Sequence, residues 1–293
     1  MKVLITGSNG FIGKYVTEEL LRKKHKVIEY DFVKKKNLFN KHDLITEMKN
    51  TDAVIHLAGM LEGNAREMWK LNVEGTRHVA EAAQKTKQKK LVFMSSTGVY
   101  GLTKGKVDEE SEIHPENTYE KSKAAGERIC MEVCGEMEVC IVRSAMVFGA
   151  NNYWRRMFGL LREKYPLPCS GKNHFQIIYV KELAQAIVKV LEKGKNGEIY
   201  LIAGKEKPTL NEFCEIIQVE LGLKKGIKHM PTFISLIIGK LFGIKALTAE
   251  NVRHLSKERN YDTRKIEKLG WSQKITLEKA MKEVVKDIGI KKE

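Results

Sequence analysis

Short apolar runs alternate along this chain with longer stretches in which apolar residues recur every three or four positions. Val3–Thr6, Val27–Tyr30, Ala53–Leu57 and Leu91–Met94 read as buried strands, and stretches through Leu21 and over Val73–Ala83 read as helices between them. Strands apolar on both faces, joined by helical crossovers that restore the chain direction, predict a doubly wound parallel sheet of the α/β class. Val139–Arg143 and Glu198–Ile202, with a helix over Leu183–Leu191 between them, extend that sheet late in the chain. Residues 1–150, with 176–203 returning to the sheet, therefore make one lobe. Residues 151–175 and 204–293 lack a regular strand–helix rhythm, carry Pro166, Pro168, Pro208 and Pro231, and predict a smaller, C-terminal substrate lobe.

Composition narrows the class. The chain has 293 residues, 42% hydrophobic and 30% charged, which suits a folded protein with a substantial core. Lys and Arg number 52 against 37 Asp and Glu, a net charge of +15. The lysines are dispersed, and no Arg-rich stripe or nucleic-acid module accompanies them, so no nucleic-acid partner is expected. Five cysteines without a CxxC pair, Cys130 and Cys134 among them, read as reduced packing residues, and no apolar segment reaches membrane-spanning length. A cytoplasmic protein without secretory leader or membrane span is expected. Pro231–Ile244, the most apolar stretch of the second half, reads as a lobe helix packed on the core; a greasy substrate wall or an interfacial helix is the alternative. The eight histidines show no metal-ligand spacing, and no metal is expected.

The first strand runs directly into Gly7-Ser8-Asn9-Gly10-Phe11-Ile12-Gly13, which opens the first helix. Glycine permits the tight turn and lets backbone N–H groups approach a pyrophosphate at the positive end of the helix. In this setting Gly7, Asn9, Gly10, Phe11, Ile12 and Gly13 are candidate cofactor contacts of a Rossmann-type lobe. Asp31 ends the second strand, where a carboxylate accepts hydrogen bonds from the adenosine ribose and repels a 2′-phosphate. NAD is favoured over NADP, although Lys34, Lys35 and Lys36 could offset the repulsion.

Tyr119 and Lys123 stand four residues apart and share a helix face. A phenol ionises near ~10, so neighbouring positive charge is needed to make it a base near neutrality. Tyr30/Lys34, Tyr100/Lys104 and Tyr261/Lys265 repeat the spacing. Only Tyr119 opens a helical stretch downstream of a strand that delivers Ser95 and Ser96 to the carboxyl edge of the sheet; Tyr261 is expected far from that edge.

Together with TGSNGFIG and YEKSK, the segments HDL, VIHLAG, LNVEGTRHVAEAA, SSTGVYG and IVRSAMVFGA resemble the extended short-chain dehydrogenase/reductase superfamily, specifically its NAD-dependent epimerase/dehydratase group. The resemblance covers nearly the whole chain. It implies a Ser96, Tyr119 and Lys123 catalytic set, with Tyr119 and Lys123 also touching the cofactor. It further implies adenine contacts from Asp43 and Leu44, a cofactor groove lined by Leu57, Ala58, Gly59 and Asn72, a homodimer through helices of the cofactor lobe, and a nucleotide-sugar substrate. Met146 and His174 stand where the family's sugar-nucleotide members carry diphosphate-binding Asn and Arg, and Lys181 replaces an acidic residue. Lys172, His174, Arg155 and Arg156 are candidate substitutes. A carbonyl reductase or 3-hydroxy dehydrogenase for a hydrophobic alcohol, and a non-catalytic dinucleotide-binding regulator, are the alternative readings.

Overall fold

The structure, a computed structural model, describes residues 1–102, 105–242 and 247–290. Strands β1 (Lys2–Thr6), β2 (Lys26–Tyr30), β3 (Ala53–His56), β4 (Lys90–Ser96), β5 (Glu138–Ser144) and β8 (Glu198–Ile202) form one six-stranded sheet in the order β2-β1-β3-β4-β5-β8. All its neighbours pair in parallel. The short strands β6 (Val147–Phe148) and β7 (Ile178–Tyr179) pair separately. The chain leaves β1 first toward β2 and then crosses to β3, so the order reverses around β1. The crevice at the carboxyl ends of β1 and β3 is where such sheets receive ligands.

Helices α1 (Phe11–Arg22), α2 (Lys41–Met48), α3 (Ala65–Trp69), α4 (Gly75–Lys85) and α5 (Thr118–Glu132) belong to the first half. They are followed by α6 (Asn152–Arg162), α7 (Val180–Lys193), α8 (Leu210–Glu220), α9 (Thr232–Phe242), α10 (Ala249–Leu255), α11 (Arg264–Glu267) and α12 (Leu277–Ile288). The sequence pattern places a helix start at Val73, whereas the helical path already begins at Ala65 and passes through a π turn, Lys70–Glu74, into α4. The apolar periodicity misses this because the wider turn shifts the buried face by one residue.

Two apolar clusters flank the sheet, one under α1 and α7 and one under α2, α4 and α5. A third joins Phe148, Trp154, Phe158, Phe175, Phe213 and Met281, gathering α6, α8 and α12 around the β6–β7 pair. Its rings meet edge-on or tilted, with Phe175 and Phe213 centroids 5.2 Å apart. Each such ring buried is worth about 1.5–3 kcal/mol. Tyr261, Ile266 and Trp271 pack into the cluster under α7, so the late chain returns to the sheet.

Helix α9 departs from its sequence reading. Its inner positions are the small Ser235 and Gly239, whereas Phe233, Ile237 and Leu241 are exposed. Gly243 and Ile244 lie outside the described residues.

Candidate active site

The glycine turn is enforced by close packing. Gly7 has φ +73°, and a Cβ there would stand 2.7 Å from the Ala58 nitrogen. A Cβ on Gly13 would collide with the Gly7 carbonyl oxygen. The Gly7 N–H donates to the Tyr30 carbonyl at 3.0 Å, and the Gly10 N–H to the Gly7 carbonyl at 3.0 Å. Gly10 caps α1 without a side-chain hydrogen bond, and no acidic residue lies in the first turn. The opening turn of α1 therefore offers an anion a helix end that no side chain neutralises, with the helix dipole behind it. Phe11 and Ile12, in that first turn, pack against the aromatic cluster of the late chain.

Asp31 stands where the turn meets β2: its carboxylate accepts from the Asn9 N–H at 3.1 Å and the Val33 N–H at 3.0 Å. Of the three lysines that could soften its repulsion of a 2′-phosphate, Lys35 is solvent-exposed and the other two are engaged elsewhere. Lys34 pairs with Glu29 at 3.2 Å, and Lys36 with Asp43 at 3.0 Å and Glu47 at 2.8 Å. Asp43 also accepts from the Tyr30 hydroxyl at 3.1 Å. Leu44 is fully buried in the core, and its N–H donates to the Asn40 carbonyl at 3.0 Å, so it presents no exposed surface to a ligand.

Across the crevice, the β3 end carries Leu57, Ala58 and Gly59. His56 is buried and its pKa is pushed down to about 3, first by burial and then by the Lys123 charge, so it is neutral. Thr76 donates to the Asn72 carbonyl at 2.6 Å and so receives the His56 Nε2–H at 2.9 Å; His56 Nδ1 then accepts from the Thr6 hydroxyl at 2.6 Å. Asn72, expected to line the groove, is buried and acts as a staple. Its amide accepts from the Met60 N–H at 2.7 Å and donates to the Met60 carbonyl and the Ser122 hydroxyl, each at 2.9 Å. Ser122 in turn donates to the Tyr119 carbonyl at 2.7 Å. The loop after β3 is thereby fastened to α5.

Helix α5 starts with a capping box of Asn117 and Glu120, which sets Tyr119 in its first turn and Lys123 one turn on. Tyr119 is half-buried and hydrogen-bonded to the Ser96 hydroxyl, while Ser96 also accepts from the Gly98 N–H at 3.0 Å. Burial raises the phenol pKa; the Ser96 hydrogen bond opposes that rise and Glu120 adds to it. Lys123 donates to the Met94 carbonyl at 2.8 Å, lies 5.1 Å from the Phe93 ring centroid, and would meet a Cβ on Gly59 at 3.2 Å. Burial pushes its pKa down to about 8. Lys123 is not among the groups that lower the phenol pKa in the polypeptide; desolvation governs both groups. Ser95 turns inward to Glu127, whose carboxylate is held by Arg143 at 2.8 and 3.0 Å.

The rival Tyr/Lys pairs fall away. Tyr30 is tied to Asp43, Tyr100 accepts from Arg143 at 2.9 Å, and Lys104 lies outside the described residues. Tyr261, expected far from the carboxyl edge, in fact reaches it and hydrogen-bonds to Thr97. The segment folds back because Tyr261 N–H donates to Gln176 and the residue bridges to Val107. Its partner lysine, Lys265, is taken by Glu198 at 2.5 Å, so Tyr261 and Lys265 do not form a second couple.

Of the candidate anion contacts, His174 is paired with Glu258 at 2.6 Å, and Lys172, Arg155 and Arg156 are solvent-exposed; Lys181, which replaces an acidic residue, pairs with Glu283 at 2.9 Å. Sequence reasoning missed Lys257 and Arg259, 7% and 6% exposed, and neither has a carboxylate partner among the described residues. Arg259 donates to the His254 carbonyl at 2.9 Å and stacks 4.7 Å from the Phe175 centroid. Burial lowers both pKa values. The only signal for them in the sequence is two cations at alternate positions just before Tyr261.

The profile of the "NAD dependent epimerase/dehydratase family" matches residues 3–203. The chain belongs to this family. It is accordingly an enzyme, and the glycine cradle, uncapped helix end and Asp31 fit the NAD that the family uses. Among this family member's relatives is a sterol-4-alpha-carboxylate 3-dehydrogenase, decarboxylating, of Dictyostelium discoideum, 27% identical over 96% of this chain and 99% of that protein. Another is the N-acetyl-alpha-D-glucosaminyl-diphospho-ditrans,octacis-undecaprenol 4-epimerase of Escherichia coli O157:H7, 26% identical over 95% and 92%. The fold matches UDP-glucuronic acid 4-epimerase from Bacillus cereus in complex with NAD, with a TM-score of 0.81, 21% identity and 98% of each chain covered. No helix among the described residues is long and apolar enough to cross a membrane.

Proposed function

We propose that this enzyme oxidises a hydroxyl group of a nucleotide-linked sugar, as the first step of an epimerisation or dehydration, with Tyr119 as the proton-transfer group. The observation that carries the reading is the convergence of Ser96, Tyr119 and Lys123 beside Gly59, at the crevice opened by the glycine turn. Ser96 orients the reacting hydroxyl, and Tyr119 takes its proton as the carbonyl forms. Lys123 offers the ribose the donors that Met94 does not use. When bound, NAD supplies the hydride acceptor and a positive ring charge beside the phenol. In the cofactor lobe, the glycine turn with Asn9, Phe11 and Ile12 would hold the pyrophosphate, Asp31 the ribose, and Asp43 the adenine edge, with buried Leu44 packed behind it. Residues 151–175 and 204–293 would supply the substrate lobe.

Lys257 and Arg259 are the residues we assign to the substrate's diphosphate, taking over from the positions now held by Met146 and His174. Two buried cations with no carboxylate in ion-pair contact among the described residues, and with burial outweighing the pull of Glu120 and Glu116 on Lys257, favour an anionic substrate over the neutral hydrophobic alcohol of the alternative reading. The curated relatives include the diphosphate-linked sugar epimerase, which supports the same choice. A homodimer through helices of the cofactor lobe and a cytoplasmic location, in keeping with five free cysteines, complete the proposal; light scattering tests the first.

Tyr119→Phe decides the catalytic assignment. It should leave NAD affinity within about twofold and lower turnover by about 10²–10⁴. Unchanged turnover on a UDP- or TDP-sugar would remove Tyr119 from the reaction, and a protein that binds neither UDP nor TDP would remove the substrate class.

A further inference from the structure

Helix α9 carries its residues in an order unsuited to core packing. Ser235 and Gly239 face inward, and a Cβ on Gly239 would stand 2.5 Å from the Leu247 carbonyl oxygen, so the helix lies tight against that segment. Its start is anchored by the preceding strand-like stretch, where the Met230 N–H donates to the Leu167 carbonyl at 2.8 Å. The large apolar side chains point the other way: Phe233, Ile237 and Leu241 are 65%, 54% and 73% exposed, and Ile234 is exposed beside them. At 3.6 residues per turn these four occupy an arc of about 100°. Lys240 sits at the edge of the same arc.

Along the chain on either side of this stripe the charge is of one sign. From Leu221 to Ala249 the chain has five lysines and no Asp or Glu. Lys224, Lys225, Lys228 and Lys240 are all exposed. We propose that the outer face of α9 docks on an anionic lipid surface, with Phe233, Ile234, Ile237 and Leu241 entering the headgroup boundary and the flanking lysines meeting the lipid phosphates. Chemistry favours this occupant over a second copy of the chain. A two-fold pairing of α9 with itself would bring together two segments of the same positive sign with no acidic residue to offset them, whereas an anionic bilayer satisfies the apolar stripe and the charge together. The helix is too short to span, so the attachment is peripheral and reversible. The inference is independent of the substrate proposed above.

Cosedimentation of the full-length protein with vesicles tests it. Vesicles of phosphatidylcholine with 30% phosphatidylglycerol should pellet the protein; phosphatidylcholine alone should not, and 0.5 M NaCl should release it. Phe233→Ser, Ile237→Ser and Leu241→Ser combined should lower the partition at least tenfold while NAD binding and the melting temperature stay unchanged. Lys224→Gln, Lys225→Gln, Lys228→Gln and Lys240→Gln combined should do the same for the anionic vesicles. Phe233→Trp should show a blue-shifted emission on vesicle binding. Equal partition of wild type and the apolar triple variant would overturn the proposal. So would absence of vesicle binding together with wild-type self-association that the triple variant abolishes, which would assign the face to a second copy.

Discussion

Lys123 shows at the residue scale how the site is held against the preference of the fold. Its ammonium is buried with one carbonyl partner, and its pKa of about 8 lies below the ordinary 10.5. A group whose folded pKa is depressed in this way binds fewer protons in the native state than in the unfolded chain between those two values. Stability therefore rises with pH across that window, and below it the charged lysine imposes its full penalty. Lys123→Met should raise the stability at pH 7 by roughly 2 kcal/mol after allowing for the lost Met94 hydrogen bond. That gain should shrink as pH is taken from 8 to 10.5, while turnover collapses; denaturant unfolding at several pH values measures it. A variant no more stable than wild type at pH 7 would mean that the ammonium is better solvated than its burial implies. Tyr119 and Lys123 were legible in the sequence as a pair, because helix geometry turns a four-residue spacing into a shared face. Their pKa directions were not, because desolvation depends on what covers the helix.

At the element scale, the strand–turn–helix unit of residues 2–22 could be read directly, since each of its constraints is local: a positive φ at Gly7 and backbone contacts where Gly13 has no Cβ. The six strands of the main sheet were likewise legible from their apolar runs. The α3–π–α4 path was not, because its cause is Asn72. A buried amide that accepts one hydrogen bond and donates two across to Met60 and Ser122 rewards a wider turn that no local propensity favours. Asn72→Ala leaves the Met60 backbone and the Ser122 hydroxyl to find other partners in a buried site. It should cost about 2–3 kcal/mol in stability, and it should also raise the NAD dissociation constant, because the Gly59–Met60 loop loses its tie to the helix bearing Lys123. Thermal melting and NAD titration check the two effects separately. A variant that loses stability alone would make Asn72 a purely structural staple.

For the whole molecule, the unread part of the site comes from segments far apart in sequence. Arg259 is positioned by a bridge to Phe175 and by the carbonyl of His254, and its neighbour Lys257 is buried close by. No window of sequence contains these contacts, whereas the dispersed lysines that give the chain its +15 charge make two more cations inconspicuous. Folding alone does not favour this arrangement. Two like charges are desolvated together, and Arg259 contributes to lowering the Lys257 pKa; Glu120 and Glu116 offset part of that for Lys257, but burial outweighs them and neither forms an ion pair with it. A purely structural lysine would stabilise its surroundings, so its removal should hurt. A lysine kept for an anion should behave in the opposite way: Lys257→Met should raise the stability of the chain by about 1 kcal/mol, weaken UDP binding at least tenfold, or about 1.4 kcal/mol, and leave NAD binding unchanged. The remaining affinity should also depend less on salt, since one charge–charge contact is gone. Calorimetric titration with UDP at two ionic strengths, alongside unfolding of the same protein, gives all of these quantities. Lower stability with unaltered UDP affinity would return Lys257 to the structure and leave the diphosphate without its assigned partner.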